Sequence, residues 1–264
     1  MFALAANTDT NLIDLNSSPF LVKFRKQNKI LGTVSLGYLY LYGIGVDKNQ
    51  KKAFQTFMGV AKEGSSLAES FLGYCYAEGY GVEKGEEKAF GYFLISAEKG
   101  NIVSLCDTAY CYQRGLGVQK DEKRGFELLL RAADGGSIKA QNSLGICFEN
   151  GNGVMKDLSK AFVWYLKSAK VCYVYGQYNV GRLYDSGIVV DHNSKKAFHW
   201  FMESAEMGYE YGCLEVGERF YYGIGSKVDT IKAIHWLEKA KNEDTVKSQA
   251  DFMLEIILER MILG

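Results

Sequence analysis

The stretch GIGVDKNQKKAF, Gly43 to Phe54, decides the fold because it returns along the chain at a fixed interval. Its glycine turn starts at Gly43, Gly79, Gly115, Gly151, Gly187 and Gly223, each 36 residues after the last. Its basic motif advances in the same register, starting at Lys52, Lys88, Arg124, Lys160, Lys196 and Lys232. A fixed period of this length is the signature of a tandem repeat protein.

Each copy carries two segments with the apolar spacing of a helix, one on either side of the glycine turn. In the first copy, helix A is predicted from about Leu31 to Tyr42 and helix B after Asn49. Stacked helix pairs bury a continuous core between neighbouring copies, so we predict an all-α solenoid. The predicted divisions are an N-terminal tail and capping half-repeat at 1–29, six repeats at 30–65, 66–101, 102–137, 138–173, 174–209 and 210–245, and a C-terminal apolar helix at 246–264.

Small residues recur inside helix A, at Gly37, Gly73, Ala109, Gly145, Gly181 and Gly217. Glycine within a helix costs about 1 kcal/mol relative to alanine, so its recurrence predicts the close approach of another helix. Helix B carries two aromatic columns that are expected to bury against the next repeat. One holds phenylalanine, at Phe54, Phe90, Phe126, Phe162 and Phe198, and the other holds Trp164, Trp200 and Trp236.

Capping residues mark both ends of helix B. Side-chain oxygens at the start can accept from free backbone N–H groups, and glycine suits a left-handed end. The predicted N-cap positions are Asn49, Gly85, Asp121, Asp157, Asn193 and Asp229, of which Gly85 has no side chain to cap with. The predicted helix ends are Gly64, Gly100, Gly136 and Gly208.

The last predicted helix, 246–264, carries apolar residues around too much of its circumference to face a single neighbour. The terminal cap of a solenoid normally shows a polar outer face. We therefore expect self-association through Phe252, Ile256, Ile257 and Met261, or contact with further repeats.

The copy AQNSLGICFENGNGVMKDLSKAFVWYLKSA, Ala140 to Ala169, resembles the Sel-one-like repeat (SLR) family, a relative of the tetratricopeptide repeats. It shares the Leu-Gly pair of helix A, the Gly-x-Gly-Val turn and the Lys-Ala-x-x-Trp of helix B. Tetratricopeptide repeats have a period of 34 and a proline near the end of each unit, so the period favours SLR. The resemblance implies a right-handed superhelix that serves as an adaptor for partner proteins. The chain departs from the family pattern at Thr108, Ala109, Cys172, Val189 and Ser226.

The glycine turn also invites interpretation as a phosphate-binding loop, because glycines before a helix can cradle an anion. Such loops need Gly-Lys-Ser/Thr or Gly-x-Gly-x-x-Gly after a strand. No copy meets either pattern and each follows a helix, which favours a structural turn.

The basic column that starts at Lys52 lies in the first turn of helix B, where positive charge opposes the helix dipole. One interpretation is a side-chain stem packed along the next repeat with its charged end in water. The alternative is an acidic partner that binds the column.

Cysteine and histidine spacing gives no sign of catalysis or metal binding. Cys75, Cys111 and Cys147 share one column, and residues one repeat apart exceed the roughly 7 Å that a disulfide spans between Cα atoms. We predict buried reduced thiols and hence a reducing compartment. The three histidines, His192, His199 and His235, lack zinc-ligand spacing. We expect no enzyme activity, no cofactor and no metal.

Charge and hydropathy argue against two kinds of partner, nucleic acid and the interior of a membrane. Lysine plus arginine equals aspartate plus glutamate, 31 each, so the basic field typical of nucleic-acid binding is missing. No apolar run reaches the roughly 20 residues of a membrane span. The expected compartment is the cytoplasm, and the alternative is secretion through a signal that has been trimmed.

Partner specificity must come from positions where the copies differ. Two such columns on helix A are expected to face a concave groove: one runs from Tyr38 to Glu218 and the other from Tyr42 to Tyr222. The candidate binding residues are Tyr38, Tyr42, Tyr74, Tyr110, Arg114, Arg182, Glu218 and Tyr222. Tyrosine is a frequent interface anchor, so we expect a non-enzymatic scaffold that holds a peptide or protein on this face. The alternatives are a regulatory subunit that tethers a membrane or signalling enzyme, and a weak hydrolase or cell-wall-fragment binder.

Overall fold

A computed structural model describes Lys23, residues 28–242 and residues 244–263, and this part of the chain contains thirteen helices and no strand. The predicted all-α fold is therefore confirmed. Most of the predicted capping half-repeat, residues 1–29, lies outside the described residues. The chain divides into two compact units, residues 1–128 and 129–264, which are taken separately below.

The helices alternate between helix A and helix B of successive repeats. They are α1 (Lys29–Tyr42), α2 (Gln50–Ala61), α3 (Ser66–Glu78), α4 (Glu86–Glu98), α5 (Ile102–Arg114), α6 (Glu122–Asp134), α7 (Ile138–Asn150), α8 (Leu158–Ala169), α9 (Val174–Ser186), α10 (Ser194–Glu206), α11 (Glu210–Tyr222), α12 (Thr230–Ala240) and α13 (Asp244–Leu263). Consecutive helices pack on one another from α1 to α5 and again from α7 to α13.

The glycine turn reverses the chain between helices A and B. Gly43 ends α1 in the left-handed conformation, with φ 74°, and its N–H donates to the carbonyl of Leu39 at 2.8 Å. Asn49 then donates its N–H to the carbonyl of Tyr40, and its side chain accepts from the N–H of Lys52. The same side-chain cap forms at Asp121, Asp157, Asn193 and Asp229, as predicted, and Gly85 makes none.

The second glycine of the turn has a different role. A Cβ atom on Gly81 would overlap the backbone carbonyl of Gln50, at the start of α2 in the preceding repeat. Gly117 and Gly225 stand in the same way against Glu86 and Ser194. The turn therefore presses against the neighbouring repeat, which confirms the structural interpretation over a phosphate cradle.

The small column of helix A admits a large side chain from helix B of the same repeat. A Cβ atom on Gly37 would stand 2.5 Å from the ring of Phe57, and one on Gly145 would stand 2.5 Å from the ring of Tyr165. Both rings are fully buried. The predicted close helix approach is thus confirmed.

Aromatic pairs join neighbouring repeats, as predicted. Phe54 of α2 meets Tyr76 of α3 edge to face at 5.5 Å between ring centroids, and Phe90 meets Tyr112 in the same way at 5.2 Å. Unit 2 repeats the arrangement in the pairs Phe162 with Tyr184 and Phe198 with Phe220. The tryptophan column is less buried than predicted, since only Trp236 is buried and Trp164 and Trp200 are half-exposed.

The last helix, α13, packs one face into the core of unit 2. Its buried residues are Val246, Ala250, Met253, Leu254 and Ile257. Ile257 is 1% exposed, so its predicted part in self-association was wrong: it lies with the core of α11 and α12. Phe252 and Met261 are more than 60% exposed, and Ile256 is half-buried. Self-association through these three remains a prediction.

Candidate partner-binding surface

Three exposed tyrosines mark the helix A face of unit 1. Tyr38 and Tyr42 lie in α1 and are 41% and 52% exposed, and Tyr110 in α5 is 54% exposed. The rings of Tyr38 and Tyr42 lie 4.7 Å apart, and the edge of Phe71 lies 5.9 Å from Tyr38. Burial, then the neighbouring Tyr38, raises the pKa of Tyr42. These contacts hold the rings in place at the surface.

Tyr74 occupies the equivalent position in the repeat between those of Tyr38 and Tyr110. It is half-buried, and its hydroxyl bonds to another residue of the protein. Its hydroxyl donates to the carboxylate of Asp107 at 2.5 Å, and its ring meets Phe93 edge to face. Burial, followed by the Asp107 charge, raises the pKa of Tyr74. Tyr74 therefore stabilises the helices beneath the exposed tyrosines, and its hydroxyl is not free to bind a partner.

Arg114 is the exposed cation of this face. Its guanidinium lies over the ring of Tyr110, 5.9 Å from the centroid. A cation above an aromatic ring is attracted to the ring's electron density and is held near it. Arg114 and Tyr110 thus form a paired basic and aromatic contact point at the end of α5.

The equivalent face of unit 2 is ionic. Arg182 of α9 donates to both carboxylate oxygens of Glu149, at 2.7 and 2.8 Å. The hydroxyl of the fully buried Tyr165 also donates to Glu149, at 2.6 Å. Burial alone would raise the pKa of Glu149, but the bonds from Arg182 and Tyr165 outweigh it and hold the pKa low. Arg182 is therefore paired with a carboxylate of the protein, unlike the exposed Tyr38, Tyr42 and Tyr110 of unit 1.

A buried arginine, which the sequence analysis did not select, organises the end of this face. The side chain of Arg219 is 6% exposed and pairs with Asp185 at 2.8 Å and with Glu215. Its guanidinium also lies over the ring of Phe201. The signal was visible, because Arg219 stands in the column that holds cysteine or leucine in the other repeats.

The two remaining candidates of unit 2 differ in exposure. Glu218 is half-buried, and its pKa is raised by burial and then by the charge of Glu215. Tyr222 is 53% exposed and its ring lies 4.9 Å from that of Tyr221. These side chains stay candidates for partner contact.

The charged ends of the basic column have an aromatic partner that the sequence did not predict. Each cation lies over an aromatic ring of helix A in its own repeat, not along the next repeat: Lys52 over Tyr40, Lys88 over Tyr76, Arg124 over Tyr112, Lys160 over Phe148, Lys196 over Tyr184 and Lys232 over Phe220. Distances to the ring centroids run from 4.2 Å for Lys52 to 5.8 Å for Arg124. The column thus has a structural role, and an acidic partner is not needed to explain it.

A second aromatic feature also escaped the sequence analysis. The segments Tyr173-Val-Tyr175-Gly176 and Tyr209-Glu-Tyr211-Gly212 open α9 and α11, where the earlier repeats have serine or asparagine caps. Neither Tyr173 nor Tyr209 caps its helix through its side chain. Together with Tyr178 they form what we call the tyrosine row: Tyr173, Tyr175, Tyr178, Tyr209 and Tyr211. The recurrence of Tyr-x-Tyr-Gly one period apart was the available signal.

All six cysteines are free thiols in the structure, and five of the six are buried. The buried thiol column is confirmed at Cys75, Cys111 and Cys147. Burial raises the pKa of Cys75 to about 12 and that of Cys111 to about 11, which disfavours the reactive thiolate. Cys172 is exposed instead and is the only non-glycine residue with positive φ in the described part of the chain, at 60°.

The described residues contain neither a metal-binding cluster nor a membrane-spanning helix. No group of three or more histidine, cysteine, aspartate or glutamate side chains there is arranged to hold a metal ion. Across the same residues, no helix is both long enough and apolar enough to cross a bilayer.

A helix pair repeated every 36 residues, with a Gly-x-Gly turn and a small column facing a large helix B side chain, matches one family model. The Sel1 repeat model matches residues 32–55, 66–101, 102–137, 138–170, 174–209 and 210–244. The chain belongs to the Sel1 repeat family. The SLR resemblance seen in the sequence is thereby confirmed, and repeats of this family commonly mediate protein–protein interaction and are generally non-catalytic. No curated protein matches the chain significantly.

Solved structures of Sel1 repeat proteins are similar to this chain. One is c5321, a protective antigen of uropathogenic Escherichia coli with an SLR fold, at 28% identity and a TM-score of 0.78 over 97% of this chain. The chain spans about half the length of c5321, 53%. Another is a Sel1 repeat protein from Oxalobacter formigenes, at 26% identity and a TM-score of 0.77, covering 85% of this chain and 96% of that one. The immunity protein Pa5087 from Pseudomonas aeruginosa shares the fold alone, at 16% identity and a TM-score of 0.57, covering 85% of this chain and 83% of that one.

Proposed function

We propose that this Sel1 repeat chain is a non-enzymatic scaffold that binds an extended segment of a partner protein on the helix A face of its first unit. The observation that carries the proposal is the set of exposed tyrosines Tyr38, Tyr42 and Tyr110. Tyrosine supplies a large contact area at low conformational cost and is enriched among the residues that dominate binding energy.

The mixed character of the face favours a polypeptide over other classes of partner. Glu78 and Arg114 occupy the positions in α3 and α5 that Tyr42 occupies in α1, so acidic, basic and aromatic groups alternate. Such a face can pair with both signs of charge along a peptide, whereas nucleic acid requires a positive field. The net charge of the chain is zero.

The buried reduced thiols support a cytoplasmic location for the scaffold. Disulfides persist in oxidising compartments, whereas the cytosol keeps thiols reduced. None of the six cysteines is joined in a disulfide in the structure.

The test is affinity capture with the purified chain from its native source, followed by titration of the partner identified by mass spectrometry. The triple substitution Tyr38→Ala, Tyr42→Ala and Tyr110→Ala should weaken the partner's affinity at least about a hundredfold, because hot-spot tyrosines each contribute about 2 kcal/mol or more. Tyr74 is left intact, because its hydroxyl serves the buried Asp107.

A matched control separates the face from general surface hydrophobicity. Met155→Ala and Ile231→Ala remove apolar side chains that are 87% and 81% exposed and lie outside helix A. This control should bind the partner as the parent chain does. Full partner affinity in the triple variant would refute the proposed face, and turnover of a substrate by the purified chain would refute the scaffold role.

A further inference from the structure

The tyrosine row of unit 2 forms a continuous aromatic surface with no assigned role. From Tyr173 to Tyr175 the ring centroids are 5.3 Å apart, from Tyr175 to Tyr209 5.0 Å, and from Tyr209 to Tyr211 5.5 Å. Tyr178, the fifth member of the row, has its ring centroid 5.3 Å from that of Tyr209. Tyr175 and Tyr211 are 46% and 37% exposed. Side chains from two adjacent repeats therefore meet at one surface.

The hydroxyls of this surface are available as donors. Within the described residues, those of Tyr175, Tyr178, Tyr209 and Tyr211 make no hydrogen bond. Burial, followed by the neighbouring tyrosines, raises the pKa of Tyr209, so its hydroxyl keeps its proton. A ligand rich in carbonyl oxygens would satisfy such donors.

We propose that the tyrosine row binds a proline-rich peptide in the polyproline II conformation, flanked by a basic residue. The spacing supports this occupant. Tyr175 and Tyr211 are equivalent residues of adjacent repeats, and the ring of Tyr209 spans the gap between their rings with centroid distances of 5.0 and 5.5 Å. A polyproline II helix advances about 9 Å per turn, so prolines three residues apart meet successive repeats. Its backbone carbonyls have no internal hydrogen-bond partners and accept from tyrosine hydroxyls.

The charges beside the row call for a basic flank. Glu210 lies between Tyr209 and Tyr211 in sequence, and Glu218 lies two turns beyond Tyr211 on the same face of α11. Among the described residues neither carboxylate has a cation within ion-pair distance. The nearby arginines, Arg182 and Arg219, are already paired with carboxylates. The surface therefore presents unpaired negative charge.

The ring geometry disfavours a carbohydrate, the other ligand class that aromatic surfaces bind. A sugar ring stacks on an open, flat aromatic face. Here Tyr175 and Tyr209 meet at 66°, and Tyr178 and Tyr209 meet at 80°, so ring edges cover neighbouring faces. Tilted rings leave furrows between them, and furrows between aromatic rings are what proline residues fill.

This inference names a partner chemistry for the proposed scaffold and in that sense rests on the proposed function. It uses different residues, in unit 2, from those of the tyrosine face of unit 1. The two proposals can therefore fail separately.

The test is fluorescence anisotropy of the full chain with the labelled peptide RPPAPPAPPR. We expect saturable binding, and the same charges on the proline-free peptide RGSAGSAGSR should give none. The substitutions Tyr175→Ala with Tyr211→Ala should weaken binding at least about tenfold, as loss of two interface aromatics implies. The acid-ended peptide EPPAPPAPPE should bind about fivefold or more weakly because of Glu210 and Glu218.

The chain supplies a matched control at the same repeat position. Leu31→Ala with Leu67→Ala removes the equivalent exposed residues of α1 and α3 and should leave peptide affinity unchanged. Tyr175→Phe with Tyr211→Phe keeps the rings and removes two donors, so it should fall between parent and alanine variant. Circular dichroism melts check that every variant is folded.

The outcomes divide cleanly. Absence of peptide binding at millimolar concentration, equal binding by the folded alanine variant, or binding of chitohexaose in place of the peptide would each overturn the tyrosine row proposal. If the peptide fails while the unit 1 triple variant still loses its partner, the scaffold function stands without this site.

Discussion

The residue position occupied by Tyr38 in the first repeat recurs in helix A of every repeat, and the two units fill it with different kinds of side chain. In unit 1 that position holds Tyr38, Tyr74 and Tyr110, of which the first and last are exposed and the middle one is bonded to Asp107. In unit 2 it holds Ile146, Arg182 and Glu218, with Arg182 bound to Glu149. Both units build the same helix pairs with the same turn. The difference shows that the shared motif determines the helices, while this column is free to become a contact surface or an internal ion pair.

The largest effect on stability is expected from removing Arg219, the buried cation of unit 2. Arg219→Leu should lower the free energy of unfolding by about 3 kcal/mol, because breaking a buried pair leaves Glu215 charged without its partner. Leucine fits the site, since Leu39 and Leu183 occupy the equivalent positions. Urea unfolding measures the loss. Adding Glu215→Gln should restore part of it, and an unchanged midpoint in the single variant would contradict an ionic role.

A second test compares the tyrosine hydroxyl that supports each face. Tyr74→Phe should cost about 1–2 kcal/mol, since the buried Asp107 loses a donor. Tyr165→Phe should cost less than about 1 kcal/mol, because Arg182 continues to donate two bonds to Glu149. Urea unfolding of both variants gives the ranking, and a larger loss for Tyr165→Phe would reverse our account of how the faces are supported.

A third test uses the turn between repeats, where the units also differ. Unit 1 has Gly64 and Gly100 at φ 88° and 85°, whereas unit 2 has Cys172 at φ 60° between Gly136 at φ 89° and Gly208 at φ 86°. Cys172→Gly should stabilise the chain by about 1 kcal/mol, because glycine adopts this conformation without a steric penalty. The reciprocal Gly208→Cys should destabilise by about the same amount, since a Cβ there contacts nothing within 4 Å and only the backbone is affected.

Thermal unfolding in reducing buffer measures both turn variants. Equal melting temperatures for parent and Cys172→Gly would show that the left-handed cysteine carries no strain.

The smallest effect is a difference in pH dependence between two carboxylates of unit 2. The folded state raises the pKa of Glu218, mainly through burial, so its negative charge destabilises the fold at neutral pH and not below about pH 4. Glu218→Gln should therefore stabilise by a few tenths of a kcal/mol at pH 7, with the gain lost in acid. The pKa of Glu149 is held low despite burial, so its contribution is present above about pH 4.3 and falls as pH drops through the folded value.

Denaturant unfolding between pH 3 and 8 separates these signs. Glu149→Gln should destabilise at pH 7 and approach the parent at pH 3. The same pH trend for both variants would contradict the opposite shifts.

The frame of the fold could be predicted from sequence because it rests on local, repeated chemistry. The N-cap oxygens of Asn49 and Asp157, the left-handed Gly43 and the small Gly37 each act within a few residues or within one helix pair. Six copies in one register make such signals hard to mistake. The family followed from the same residues.

What could not be predicted depends on which way a side chain turns across a helix interface. Lys52 was expected along the next repeat with its charged end in water, yet its ammonium group lies over the ring of Tyr40 in its own repeat. Tyr74 looked equivalent to Tyr38 and Tyr110, but its hydroxyl donates a hydrogen bond to Asp107 in the next repeat. Ile257 was expected to take part in self-association because apolar residues surround α13, whereas the helix places that residue in the core. Each case needs the rotation of one helix against another, which sequence spacing does not give.

The aromatic rings beneath the basic column bear on how the number of repeats can change during evolution. In the repeats where both contacts are described, a ring such as Tyr76 receives Phe54 from the preceding repeat and Lys88 from its own, and Tyr184 receives Phe162 and Lys196 alike. If a genetic recombination removes or duplicates 36 residues, the new junction again brings a phenylalanine and a cation to every ring. Recombination can therefore lengthen or shorten this protein in whole repeats without creating a new kind of interface, and the partner-facing columns are then free to diverge.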